Sequence, residues 1–222
     1  MAHNGMPIDP RQVRTDLSRA YGRHYAAVLK FARPRMMGWV CIDVLNGIDA
    51  LAQANPASPI VARHRRLIEL LLDEHLVASE PLRKEFTQLY REAEAIAFPA
   101  ATAFVAHSQA LSDWTRNWSL ARVKLDRLRA LDLKAHDDPT FKEYIDEMLG
   151  KLPVLTAAPS VQAYGQFFEV YSEALVLDFL RTKVRAARVP RAPNGTPTPD
   201  FRCELEDGPE FYVEVKTLDT VG

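Results

Sequence analysis

Cysteine is almost missing from this chain: Cys41 and Cys203 are the only two among 222 residues, far apart and in different kinds of segment. That leaves neither a disulfide framework nor a cysteine-based zinc site, and it suits a reducing compartment. Long apolar runs are missing too. Nothing approaches the roughly 18 to 20 residues of a membrane helix, and the start Met1-Ala2-His3-Asn4-Gly5 lacks the basic and apolar regions of a signal peptide. The expectation is a cytoplasmic protein with no membrane segment. Net charge is small, -1 with a pI near 6.6, so the overall basic character of small DNA-binding proteins is lacking. Any nucleic-acid affinity has to come from a local patch. The first 150 or so residues also hold no Gly-rich phosphate loop, no paired histidines at metal spacing and no internal repeat.

What is present is enough hydrophobic residue, 47%, to bury a core in one large domain or two small ones. Asp9-Pro10 reads as an N-cap with proline at the first helical position, opening a helix to about Ala32, where Arg33-Pro34 stops it. Val40, Leu45, Ile48 and Leu51 predict a second helix from about Met37 to Ala54, closed by the break Asn55-Pro56-Ala57-Ser58-Pro59. Ser58 caps a third with Leu67, Leu70 and Leu71 as its stripe, and Ser79 begins a segment reaching about Phe98. Leu111, Trp114, Trp118, Ala121, Leu125 and Leu128 follow at intervals of 3, 4, 3, 4 and 3, a heptad seam in which the tryptophans read as core or helix contact. Asp138-Pro139 opens a short helix ending near Gly150. Residues 1–158 are thus expected to be a helical region, a bundle or hairpins, offering a homodimer, partner-protein or substrate interface.

The pattern changes after Pro159. Ser160 can cap a helix to about Lys183 whose apolar residues, Phe167, Phe168, Val170, Tyr171, Leu175, Val176, Leu177, Phe179 and Leu180, point in nearly every direction, as in a buried helix. Glu169 and Glu173, four apart on one face of it, need solvent or a cation: burying an unpaired carboxylate costs several kcal/mol. A metal ion or Lys216 would serve. Val184-Arg188 reads as a strand, then a Pro- and Gly-rich loop leads to Pro199-Asp200, and Phe201-Leu205 and Phe211-Leu218 read as a hairpin. Period-two alternation puts Phe211, Val213 and Val215 on one face and Glu214 and Lys216 on the other, with Asp200 at the mouth of the preceding strand. Converging carboxylate oxygens of this kind suit Mg²⁺, which would neutralise charge on a scissile phosphate and lower the pKa of a bound water. Lys216 would position or help deprotonate that water, or stabilise the phosphate. Around the motif, Arg181, Lys183, Arg185, Arg188, Arg191 and Arg202 form a basic run that reads either as phosphate-contacting or as a solvated surface.

An acidic helix, a strand, Pro199-Asp200, a hairpin and Glu214-Val215-Lys216, with thirteen residues between Asp200 and Glu214, resembles the PD-(D/E)xK nuclease superfamily, the restriction-endonuclease-like fold. The resemblance covers residues 160 to 218. It implies an α+β chain: a mostly helical N-terminal region followed, over 159–222, by a partial αβββ nuclease core. It also implies a Mg²⁺-dependent endonuclease in which Mn²⁺ can substitute, with DNA as the substrate. Asp200, Glu214, Lys216 and Glu173 would be catalytic, and Asp200, Glu214, the Val215 carbonyl, Glu173 and Glu169 would be available to the metal. The superfamily core continues after the lysine strand with a helix and a further strand. Here the expectation is a fragment, the alternatives being completion by another subunit or cover from the N-terminal helices. The rival reading is a non-catalytic helical interaction module that retains a nuclease-like hairpin.

Overall fold

The computed structural model describes residues 42–216, apart from 72, 74, 77, 110, 112–121, 158–160, 191–196 and 207. Within them lie seven helices and a small antiparallel sheet: α1 Ile42–Ala54, α2 Ile60–Leu71, α3 Glu80–Ala97, α4 Pro99–Gln109, α5 Leu125–Ala135, α6 Pro139–Ala157, α7 Val161–Arg181, β1 Arg185–Arg188, β2 Phe201–Glu204 and β3 Glu210–Val213. This is an α+β chain. No helix among the described residues is long and apolar enough to cross a membrane. The helix expected from Pro10 to Ala32 and the seam residues Trp114, Trp118 and Ala121 lie outside the described residues.

The chain divides into two compact units, Met1–Ala97 and Phe98–Gly222. In the first, α1, α2 and α3 pack against one another. Their starts obey the capping signals: Ser58 Oγ accepts from the Ile60 N–H at 3.3 Å, and Ser79 Oγ from the Leu82 N–H at 3.5 Å. Val44, Ile48, Ile60, Leu67, Leu70, Phe86, Tyr90 and Ala93 fill the space between the helices.

In the second unit α4, α5, α6 and α7 pack together and α7 carries the sheet through β1. The helices of 99–157, read from sequence as part of the N-terminal helical region, thus belong to the same compact unit as the sheet. The heptad seam does not run through one helix. Lys124 is extended, φ -81° and ψ 107°, because Tyr171 of α7 takes its backbone: the hydroxyl accepts from the Lys124 N–H at 3.2 Å and donates to its carbonyl at 3.3 Å. Helix α6 starts as read, with Asp138 Oδ1 accepting from the Thr140 N–H at 2.9 Å. It does not stop at Gly150 but continues through Pro153 to Ala157. Phe141, Tyr144, Ile145, Met148 and Leu152 form one buried face across that point, and this packing outweighs the roughly 1 kcal/mol cost of a helical glycine.

Helix α7 is buried on one face rather than all round. Phe167, Val170, Tyr171, Ala174 and Leu177 are inside, while Phe179 is 62% exposed. The sheet is a meander ordered β1, β2, β3, with Ala186 opposite Cys203, Arg188 opposite Phe201, Phe201 opposite Val213 and Cys203 opposite Phe211. Ala186, Phe201 and Cys203 are buried on the face they share. In the β2–β3 turn, a Cβ on Gly208 would stand 2.8 Å from that of Leu205, so any larger residue would force Leu205 or the turn to shift.

Candidate functional site

Asp200, directly before β2, joins all three strands. Its carbonyl accepts from the Val189 N–H at 2.9 Å, its own N–H donates to the Val213 carbonyl at 3.0 Å, and its Oδ2 accepts from the Val215 N–H at 2.6 Å. The carboxylate therefore takes a backbone donor just past the end of β3, between the two motif residues Glu214 and Lys216. Glu214, Val215 and Lys216 lie beyond the ladder itself, which ends at Val213 rather than reaching Leu218. Lys216 forms an ion pair with Glu214. That contact pushes the Lys216 ammonium above its ordinary pKa, and Asp200 adds to the effect. Lys216 thus lies in the field of both carboxylates.

The two helix glutamates separate. Glu169 is exposed, whereas Glu173 is 8% exposed, on the buried side of α7. Its cation is Arg188, at 3.6 Å, not Lys216. Arg188 also bonds Glu147 of α6 at 2.9 Å, lies 3.9 Å from Glu143, and stacks 4.2 Å above the centroid of the Tyr144 ring. Tyr144 is fully buried. Burial first, then the negative fields of Glu173, Asp200 and Glu147, push its phenol up, with Arg188 opposing. Asp200 and Glu173 accordingly lie around the same Tyr144–Arg188 pair. The sequence reading missed Tyr144 and Glu147: the tyrosine belongs to the apolar stripe of α6 and reads as core, and nothing local marks the glutamate.

The basic run does not gather into one face. Strand alternation sends Arg188, opposite Phe201, toward the helices, while Arg185, opposite Glu204, and Arg202 project from the other side. Carboxylates meet most of them: Arg185 lies 3.6 Å from Glu204, and Arg202 lies 3.3 Å from Glu204 and 3.6 Å from Glu210. Arg181 turns back onto α6, pairing with Asp138 at 2.5 Å and crossing the Phe141 ring at 5.2 Å. Lys183 is exposed, and Arg191 lies outside the described residues.

Asp200, Glu214 and Glu173 offer oxygen donors only, the chemistry Mg²⁺ prefers. Among the described residues no three Asp, Glu, His or Cys side chains converge on a common metal position. Mg²⁺ commonly takes one or two carboxylates, its remaining ligands being water and phosphate, so the donor set suits it in that mode. No family model, curated protein or solved structure matches the chain.

Proposed function

We propose that the second unit is a metal-dependent phosphodiesterase of PD-(D/E)xK type acting on DNA. The observation that carries this reading is the bond from the Val215 N–H to Asp200 Oδ2, 2.6 Å, which fastens the aspartate of one strand to the acid-x-lysine segment of the next. Asp200 and Glu214 would hold Mg²⁺, or Mn²⁺ in its place, with Glu173 and the Val215 carbonyl nearby and Glu169 further out; the ion would supply charge neutralisation and an activated water. Asp200 also fixes the backbone at Val215, which sets where the flanking side chains start. Lys216, an ammonium at neutral pH whose pKa the Glu214 contact raises further above its ordinary value, is suited to binding a phosphate oxygen and stabilising its developing charge, not to taking a proton from water. Lys183, Arg185 and Arg202 are the exposed cations of the basic run that could make backbone contacts.

The test is cleavage of plasmid, linear and single-stranded DNA and of RNA across a Mg²⁺ and Mn²⁺ titration. Metal-dependent cleavage is expected, lowered about 10²-fold or more by Asp200→Asn and by Lys216→Ala with unchanged circular dichroism. Wild-type protein inert at every metal concentration overturns the reading. One observation favours the non-catalytic alternative: Arg188 already neutralises Glu173. Under that alternative no metal supports cleavage, and the helical region carries the binding function.

A further inference from the structure

Strand β3 closes one side of the sheet. Among the described residues it pairs with β2 alone, and its aromatics stand in solvent, Tyr212 at 57% and Phe211 at 36% exposure. In an antiparallel ladder each residue aims its N–H and C=O to the same side, and neighbours alternate. Asp200 is split between its neighbours, its carbonyl accepting from Val189 and its N–H donating to the Val213 carbonyl; with the Val189 bond fixing the β1–β2 register, Arg202 and Glu204 address β1, while Phe201 and Cys203 address β3. Their partners Val213 and Phe211 therefore spend their backbone groups on β2. Val215 agrees, its N–H turning inward to Asp200. Glu210 and Tyr212 are left with backbone groups facing outward, and the same alternation carried past the end of the ladder at Val213 turns Glu214 and Lys216 outward as well.

An edge of this kind recruits another strand unless something blocks it, and the charges along it select which. A second copy related by a two-fold axis must pair outward residues with outward residues. An axis at Tyr212 would set Glu210 against Glu214 of the partner subunit, a like-charge pair formed twice. An axis at Val213 sets Glu210 against Lys216 of the partner subunit, twice, and Tyr212 against Glu214 of the partner subunit. On the other face it sets Phe211 against Val215 of the partner subunit, with Val213 at the centre. Axes moved further along shorten the paired segment. We propose that a second copy of this chain docks on the open edge of β3, antiparallel and centred on Val213. The exposed contacts that Glu210 makes with Arg202 and Lys216 makes with Glu214 are exchanged for contacts across the interface. Glu214 and Lys216 belong to the proposed nuclease site as well, but the dimer is argued from backbone direction and charge, and its test reads association rather than cleavage.

Sedimentation velocity of the full chain over a concentration series tests it. Wild-type protein should dimerise. Glu210→Lys and Lys216→Glu should each weaken the dimer about tenfold, the double reversal should restore it, and Tyr212→Pro, which removes an outward N–H, should abolish it. Monomer at every concentration overturns the proposal, and so does a dimer that ignores the single reversals, or a double variant no tighter than the singles. Circular dichroism checks each fold, and the charge series decides the matter if the proline variant does not fold.

Discussion

Asp132 is the least expected residue of the molecule. Its side chain is fully buried, and its two oxygens accept from the Ala100 and Ala101 N–H groups, both at 2.9 Å. These are orphan donors at the start of α4, where Pro99 takes the first position and leaves no side-chain cap of its own. A residue on α5, some thirty positions later in the chain, closes that helix. Burial is the largest influence on its carboxyl and pushes it up to about 7; the two N–H groups and Arg129 oppose. Because the folded value lies above the ordinary 3.8, the native state holds a proton that the unfolded state releases. The associated stability is fully present below about pH 4 and is lost as pH rises through 7, on the order of a few kcal/mol. Urea midpoints between pH 4 and 8 should therefore fall in wild-type protein and stay flatter in Asp132→Asn. Parallel profiles would refute this.

At the scale of elements, Arg188 decides how β1 meets the helices. It reaches Glu147 on α6 and Glu173 on α7 from a single guanidinium, with Tyr144 beneath it. Its side chain is 20% exposed and those of its two glutamates 25% and 10%, so the cost of removing it should fall below the 3–5 kcal/mol of a fully buried pair. Arg188→Met should lose about 2 kcal/mol, with partial recovery in Arg188→Lys, which keeps the charge but not the planar fork. A loss under about 0.5 kcal/mol in urea unfolding would mean the junction rests on apolar packing alone. The start of α6 was legible because its cap is local: Asp138 and Pro139 are adjacent. Its end was not, since the buried face that carries it past Gly150 exists only against α4, α5 and α7.

For the whole molecule, the composition change at Pro159 did not coincide with a structural division. The compact units meet at Ala97 and Phe98, and α4 to α6 bury their faces with α7. A unit with its own core should fold by itself. Residues 98–222, expressed alone, are expected to give the helical circular dichroism of their share of the chain and to unfold cooperatively. An unstructured or aggregating fragment would show that residues 1–97 are needed for the fold.

Local chemistry was readable from the amino acids in order: the caps at Ser58, Ser79 and Asp138, the alternation of the strands, and the order of helix, strand and hairpin. These rest on neighbours a few positions apart, where side-chain geometry and backbone propensity suffice. The partner of Glu173, the inward turn of Arg188, the interruption of the seam at Lys124 by Tyr171 and the cap from Asp132 belong to the tertiary structure alone. In each, a polar group is satisfied by one on another element, 15 to 47 residues away, and only packing determines which distant donor or acceptor arrives.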